Sequence, residues 1–161
     1  MNISRLEELR ETCDLNKIDL ANILNVSNSI YARWENNKSN IPTNRLVEIA
    51  NYFKVNIDYI LELTNTKKVI ESSNHIDKNK CGERIKSIRE KEKLTLRDLA
   101  SILNTSNSTI SAYETGKTLI LESFLYDICK KYGYSADWIL GRSNDMYIKW
   151  KSHKMKKSLT N

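Results

Sequence analysis

The chain repeats itself. Displaced by 79 positions, residues 3–64 align with residues 82–143 without a gap. Identical pairs run the length of the match: Arg5/Arg84, Arg10/Arg89, Leu20/Leu99, Ala21/Ala100, Glu35/Glu114, Lys38/Lys117, Leu46/Leu125 and Asp58/Asp137. Other pairs keep their class, such as Trp34/Tyr113, Phe53/Tyr132 and Tyr59/Trp138. An ungapped match over 62 residues means two copies of one small domain. Every apolar period within the copies is helical, and none alternates as a strand does. Glycine (4) and proline (1) are scarce, which also favours helices. The expected organisation is a first domain at 1–64, a linker at 65–80, a second domain at 81–144 and a basic tail at 145–161.

Each copy predicts five helices. In the first, Leu6 and Leu9 face inward on a helix over about 4–13. Asn16 caps a second from Lys17 to Leu24, with Leu20, Ile23 and Leu24 as its inner stripe. Ser27 opens the third, because its hydroxyl can accept from a free N–H of the first turn. Asn37 and its counterpart Gly116 stand where that third helix ends, and both residue types enter the left-handed conformation readily. Thr43, after Pro42, is a cap for a fourth helix over about 44–53, and a fifth covers about 57–62. The second copy predicts helices near 81–91, 96–103, 107–115, 122–132 and 136–140. Residues 65–80 are polar without a period and read as a linker; extended, they could span up to ~55 Å.

The third helix carries the chemistry. Its strings are SNSIYARWENNK at 27–38 and SNSTISAYETGK at 106–117. Tyr31 and Trp34 share an inner face with Ile30 at its edge, while Asn28, Ser29, Ala32 and Arg33 form the other. Glu35 is the only acid from Ser27 to Val47, and Glu114 the only acid from Ser106 to Leu121. A short polar face without acids suits close approach to phosphates; it also suits an ordinary solvated helix. Trp34, Tyr113 and Trp138 fall on inner stripes and read as core rather than as base-stacking platforms.

Charge supports this only through its placement. The net charge is +6, but residues 1–64 carry seven bases against nine acids, and the tail five against one. The tail is expected to add a short helix, to clamp phosphates or to be a solvated end. Cys13, Cys81 and Cys129 are scattered and odd in number, so they read as reduced thiols of a cytosolic protein. His75 and His153 stand alone, and no metal or cofactor is expected. No stretch approaches the ~18 apolar residues of a membrane span, and the N-terminus lacks a signal peptide's apolar run. No phosphate-binding Gly-Lys loop, Gly-x-Ser-x-Gly or His-Glu-x-x-His is present, so neither an enzyme nor a small-molecule substrate is expected.

The ordered set Leu-Arg-Glu, Asp-Leu-Ala-x-Ile-Leu-Asn, Ser-x-Ser and aromatic-Glu-x-x-Lys resembles the Cro and lambda-repressor type of helix-turn-helix regulator. The second copy, with GERIKSIREKEKLTLRDLA, TISAYETGK and YSADWILGRSN, resembles it more closely, and the resemblance covers about 125 of 161 residues. It implies an all-α chain of two tandem five-helix lambda-repressor-like domains joined by a polar linker. In such domains the third helix enters the major groove and the second crosses the backbone. By position, Asn28, Ser29 and Arg33 would read bases in domain one, and Asn107, Ser108 and Thr109 in domain two. Lys17, Asn36 and Lys38, with Arg97 and Lys117, would hold phosphates. Arg10/Glu35 and Arg89/Glu114 would be structural ion pairs from helix one to helix three.

The expectation is therefore a cytoplasmic bacterial DNA-binding regulator, acting on a double-stranded operator and more often a repressor than an activator. The family's presence on phages and mobile elements fits such an origin. Covalent linkage could replace dimerisation by raising the second domain to a roughly millimolar effective concentration. Half-sites about one turn, ~34 Å, apart are within the linker's reach. Domain two departs where Arg33 becomes Ala112 and Lys17 becomes Leu96, so the site should be asymmetric. With 19 residues after Arg142, no self-cleaving domain is expected. The competing expectation is a protein-interaction module, antitoxin-like or co-regulatory, that pairs with another protein; a homodimer is a further possibility.

Overall fold

A computed structural model describes residues 4–72 and 74–148. Among the described residues there are ten α-helices and no strand. Domain one contributes α1 (Arg5–Thr12), α2 (Lys17–Ile23), α3 (Asn28–Glu35), α4 (Thr43–Tyr52) and α5 (Ile57–Ile60). Domain two contributes α6 (Lys78–Lys91), α7 (Leu96–Ile102), α8 (Asn107–Glu114), α9 (Glu122–Tyr132) and α10 (Ala136–Ile139). Tyr134 and Tyr147 form one isolated antiparallel bridge.

Local sequence sets most of the boundaries. Asn16 and Asp19 form a capping box at α2, and Thr95 and Asp98 form the same box at α7. Ser27 accepts from the Ile30 N–H at 3.3 Å, and Ser106 from the Thr109 N–H at 3.2 Å. Asn37 (φ 55°) and Gly116 (φ 69°) take the left-handed turn after α3 and α8. Gly82 has a different role. A Cβ there would stand 2.5 Å from the Tyr113 and Glu114 carbonyl oxygens, so its bare backbone lets α6 lie directly on the end of α8.

Leu6, Leu20, Tyr31, Leu46 and Ile49 are fully buried in domain one, as are Ile85, Leu99, Ile110 and Leu125 in domain two. Trp34, Tyr113 and Trp138 are also buried. Two expectations need correction. Ile23 is not part of the inner stripe of α2: it is 44% exposed, because Leu20, Ala21 and Leu24 already fill the inward face. Thr43 does not cap α4. It is the first helical residue, and its hydroxyl donates across the molecule to the Ile120 carbonyl at 2.5 Å.

That hydrogen bond belongs to a reciprocal interface between the copies. Thr43 reaches Ile120, and Glu122, the counterpart of Thr43, accepts from the N–H of Ile41, the counterpart of Ile120, at 2.7 Å. The same exchange occurs between α5 and α10. Asp58 accepts from the Ser135 hydroxyl and the Ala136 N–H, both at 2.6 Å, and Asp137 accepts from the Asp58 N–H at 3.1 Å. When i meets j and the counterpart of j meets the counterpart of i, the surfaces are related as in a two-fold dimer. Here both halves are in one chain.

The connecting segment lies against this interface. Lys68 N–H donates to Asn56 Oδ1 at 2.8 Å, and the Ser72 hydroxyl to Asn51 Oδ1 at 3.1 Å. Ile76 is buried. The buried Arg142 guanidinium pairs with Asp137 and also donates to Ser72 Oγ at 3.0 Å and Asn51 Oδ1 at 2.8 Å. One side chain thus joins domain two, the connector and domain one.

Candidate nucleic-acid interface

The third helix of each domain is positioned by an ion pair, buried in domain one and part-buried in domain two. Arg10 on α1 holds Glu35 at the end of α3 with two parallel hydrogen bonds, Nε to Oε2 at 2.9 Å and a terminal nitrogen to Oε1 at 3.0 Å. Its remaining nitrogen donates to the Leu15 carbonyl at 2.7 Å. Arg89 repeats this with Glu114 at 2.6 and 3.0 Å, and with the Leu94 carbonyl at 3.0 Å. This bidentate geometry is the strong form of the arginine–carboxylate pair. Burial by itself would raise the Glu35 pKa, but hydrogen bonds from Arg10 and Lys17 outweigh it and hold the carboxyl below its usual range. Glu35 thereby turns its charge inward, and the outer face of α3 carries no acid.

On that outer face Asn28, Ser29 and Arg33 are all exposed. Ser29 Oγ lies 3.0 Å from the capping Ser27 Oγ. In domain two Asn107 and Ser108 are exposed and Thr109 is half-buried. Ser106 Oγ there lies 2.8 Å from both Ser108 Oγ and Thr109 Oγ1, so much of the hydroxyl capacity of α8 is turned on itself. The guanidinium of Arg33 has no equivalent, since Ala112 takes that place.

The expected phosphate-holding residues divide. Asn36, Lys38, Arg97 and Lys117 are exposed. Lys38 follows the left-handed Asn37, and its N–H donates to the Arg33 carbonyl at 2.8 Å, which fixes where its side chain leaves α3. Lys17 is half-buried and its Nζ lies 3.2 Å from Glu35 Oε1, making it a third member of the ion pair. Arg45, another base near α3, is bound to the Leu24 carbonyl at 3.1 Å and to Glu48 at 2.6 Å.

Sequence reasoning left Ile18 unassigned and set Ile30 at the edge of the inner face. Ile18 (56% exposed) and Ile30 (45% exposed) are apolar residues on the outside of α2 and α3, and domain two has Arg97 and Thr109 in their places. Their helical positions were legible; that no neighbour covers them was not. The interface residues Asn51, Glu122 and Arg142 were also missed, because their partners lie in the other copy or the connector.

No group of three or more histidine, cysteine or acidic side chains among the described residues could hold a metal ion. No helix among them is long and apolar enough to cross a membrane.

Comparison with known families agrees with the architecture. Residues 6–60 match a helix-turn-helix family, and residues 82–144 match a second family described as a helix-turn-helix domain. The chain thus carries two helix-turn-helix domains in tandem. Proteins of this kind are DNA-binding regulators. No curated protein matches the chain.

Proposed function

We propose that this chain is a single-chain pseudo-dimer that reads two half-sites of a double-stranded operator, α3 in one and α8 in the other, and represses the promoter it occupies. The observation that carries this reading is the reciprocal interface. Thr43–Ile120 mirrors Glu122–Ile41, and Asp58 and Asp137 exchange contacts across α5 and α10. Such an arrangement relates α3 and α8 by an approximate two-fold, the symmetry of paired half-sites. Linkage then takes the place of a second subunit.

Within each half-site the roles follow from chemistry. Asn28 and Asn107 can bond adenine bidentately, and Arg33 can grip guanine, each pair contributing ~1–3 kcal/mol of discrimination. Ser29, Ser108 and Thr109 add single hydrogen bonds. Lys38, Lys117, Arg97 and Asn36 hold the backbone and set register. Ala112 offers no such grip, so the two half-sites differ in sequence and in strength. Repression follows from the family resemblance. Nothing in the proposed roles requires catalysis.

The test is selection of bound DNA from a random duplex library with wild type and Arg33→Ala in parallel. The expected result is two unequal half-sites, one of which loses information in the variant. Salt-sensitive binding without any enriched sequence would remove this reading and favour a protein partner.

A further inference from the structure

We infer that Ile30 is a specificity residue: it packs on the 5-methyl group of a thymine in the half-site read by α3. This rests on the DNA-reading role proposed above. Ile30 lies one helical turn before both the outward Arg33 and the buried Trp34, at the boundary between the inner and outer faces of α3. It is 45% exposed, while the neighbouring Tyr31 and Trp34 are buried. Its side chain is therefore accessible at the surface of α3. Isolated exposed apolar residues are common and require no explanation by themselves. This one is distinguished by its size and its company: the outward face beside it carries Asn28, Ser29 and Arg33, with Ala32 the only other apolar residue.

The major groove presents one apolar group, the thymine methyl, beside the donors and acceptors of the base edges. An isoleucine set among polar readers gains from covering that methyl. It loses when cytosine takes the place, because the cytosine amino group would be desolvated without an acceptor. Domain two offers only the smaller methyl of a threonine there. Its counterpart, Thr109, is half-buried, and its hydroxyl lies 2.8 Å from Ser106 Oγ. The two half-sites therefore differ at the base beneath Ile30 as well as at the base beneath Arg33.

The experiment uses the full chain and the duplex enriched by wild-type selection. Each thymine of the Arg33-dependent half-site is replaced in turn by uracil, which removes only the 5-methyl group. Affinities are measured for wild type, Ile30→Ala and Ile30→Val. At one thymine the replacement should weaken wild type about fourfold, the value of one buried methyl-sized group. It should leave Ile30→Ala almost unaffected and give Ile30→Val an intermediate loss. The exposed position and the better helix propensity of alanine keep that variant folded. If every thymine responds equally in wild type and Ile30→Ala, the inference fails while DNA reading stands. If no sequence is enriched at the outset, both fail.

Discussion

Asp58 and Asp137, 79 positions apart, each stand at the first turn of the other's helix. Asp58 accepts from the Ala136 N–H that opens α10, and Asp137 from the Asp58 N–H in α5. The N-cap residue of α5, Asn56, makes no side-chain cap of its own; its Oδ1 receives Lys68 N–H from the connector instead. A helix of four residues has little internal stability, so α5 depends on the other domain to complete its hydrogen bonding.

Removing one of these carboxylates should loosen the pairing of the domains. Asp58→Ala is expected to cost about 1–2 kcal/mol, the range for loss of a capping acceptor. Asp58→Asn should do the opposite above neutral pH. Burial, and then the nearby charge of Asp137, push the Asp58 carboxyl up to about 7, so a neutral acceptor removes a buried repulsion. Urea denaturation at pH 8 distinguishes them: Asp58→Ala lowers the midpoint, and Asp58→Asn keeps or raises it.

Glu122 makes stability depend on pH. Burial raises its carboxyl from 4.5 to about 7, and its Oε1 has no hydrogen-bond partner among the described residues. The folded protein therefore binds a proton that the unfolded chain releases near 4.5. The resulting stability is complete below that value and is lost as pH rises to about 7, by roughly 3 kcal/mol at most. Thermal melts between pH 5 and 8 should show this decline. Glu122→Gln keeps an acceptor for the Ile41 N–H and should flatten the contribution; an unchanged slope in that variant would reject the assignment.

The Arg10–Glu35 pair predicts non-additive mutations. Arg10→Met leaves Glu35 buried with only Lys17 for charge, and should cost about 3–5 kcal/mol. Arg10→Met combined with Glu35→Leu should cost much less, because no buried charge is left alone. A double-mutant cycle by chemical denaturation measures the difference. Equal losses for the single and the double variant would mean that packing, not charge, orients α3.

Lys38 and Lys117 should each contribute about one released counterion on DNA. Lys38→Ala and Lys117→Ala should each flatten the plot of log affinity against log salt by about 0.9, with little change in the preferred sequence. If only Lys38→Ala has this effect, domain two does not contact the backbone there.

Much of this protein was legible in its sequence, for local reasons. The displacement by 79 positions gave two copies, and helical periods gave five helices in each. Capping residues such as Asn16 and Ser27 act within three positions, so their boundaries could be read directly. The outward face of α3 followed from which residues of one helix are apolar. Where sequence reading failed, the partner was remote. Thr43 has the chemistry of a cap, yet its hydroxyl is taken by Ile120. Ile23 has the period of a core residue, yet Leu20 and Leu24 leave it no room. Residues 65–80 read as a linker without a period, yet Lys78 already opens α6, and Ser72 and Lys68 are held against the domain interface. The sequence by itself determined that there are two copies of a five-helix unit and which face of α3 is turned outward, because short-range periodicity and capping decide those. Only the tertiary structure decided that the domains pair reciprocally, since hydrogen bonds such as Asp58 to Ala136 join groups that no local pattern links.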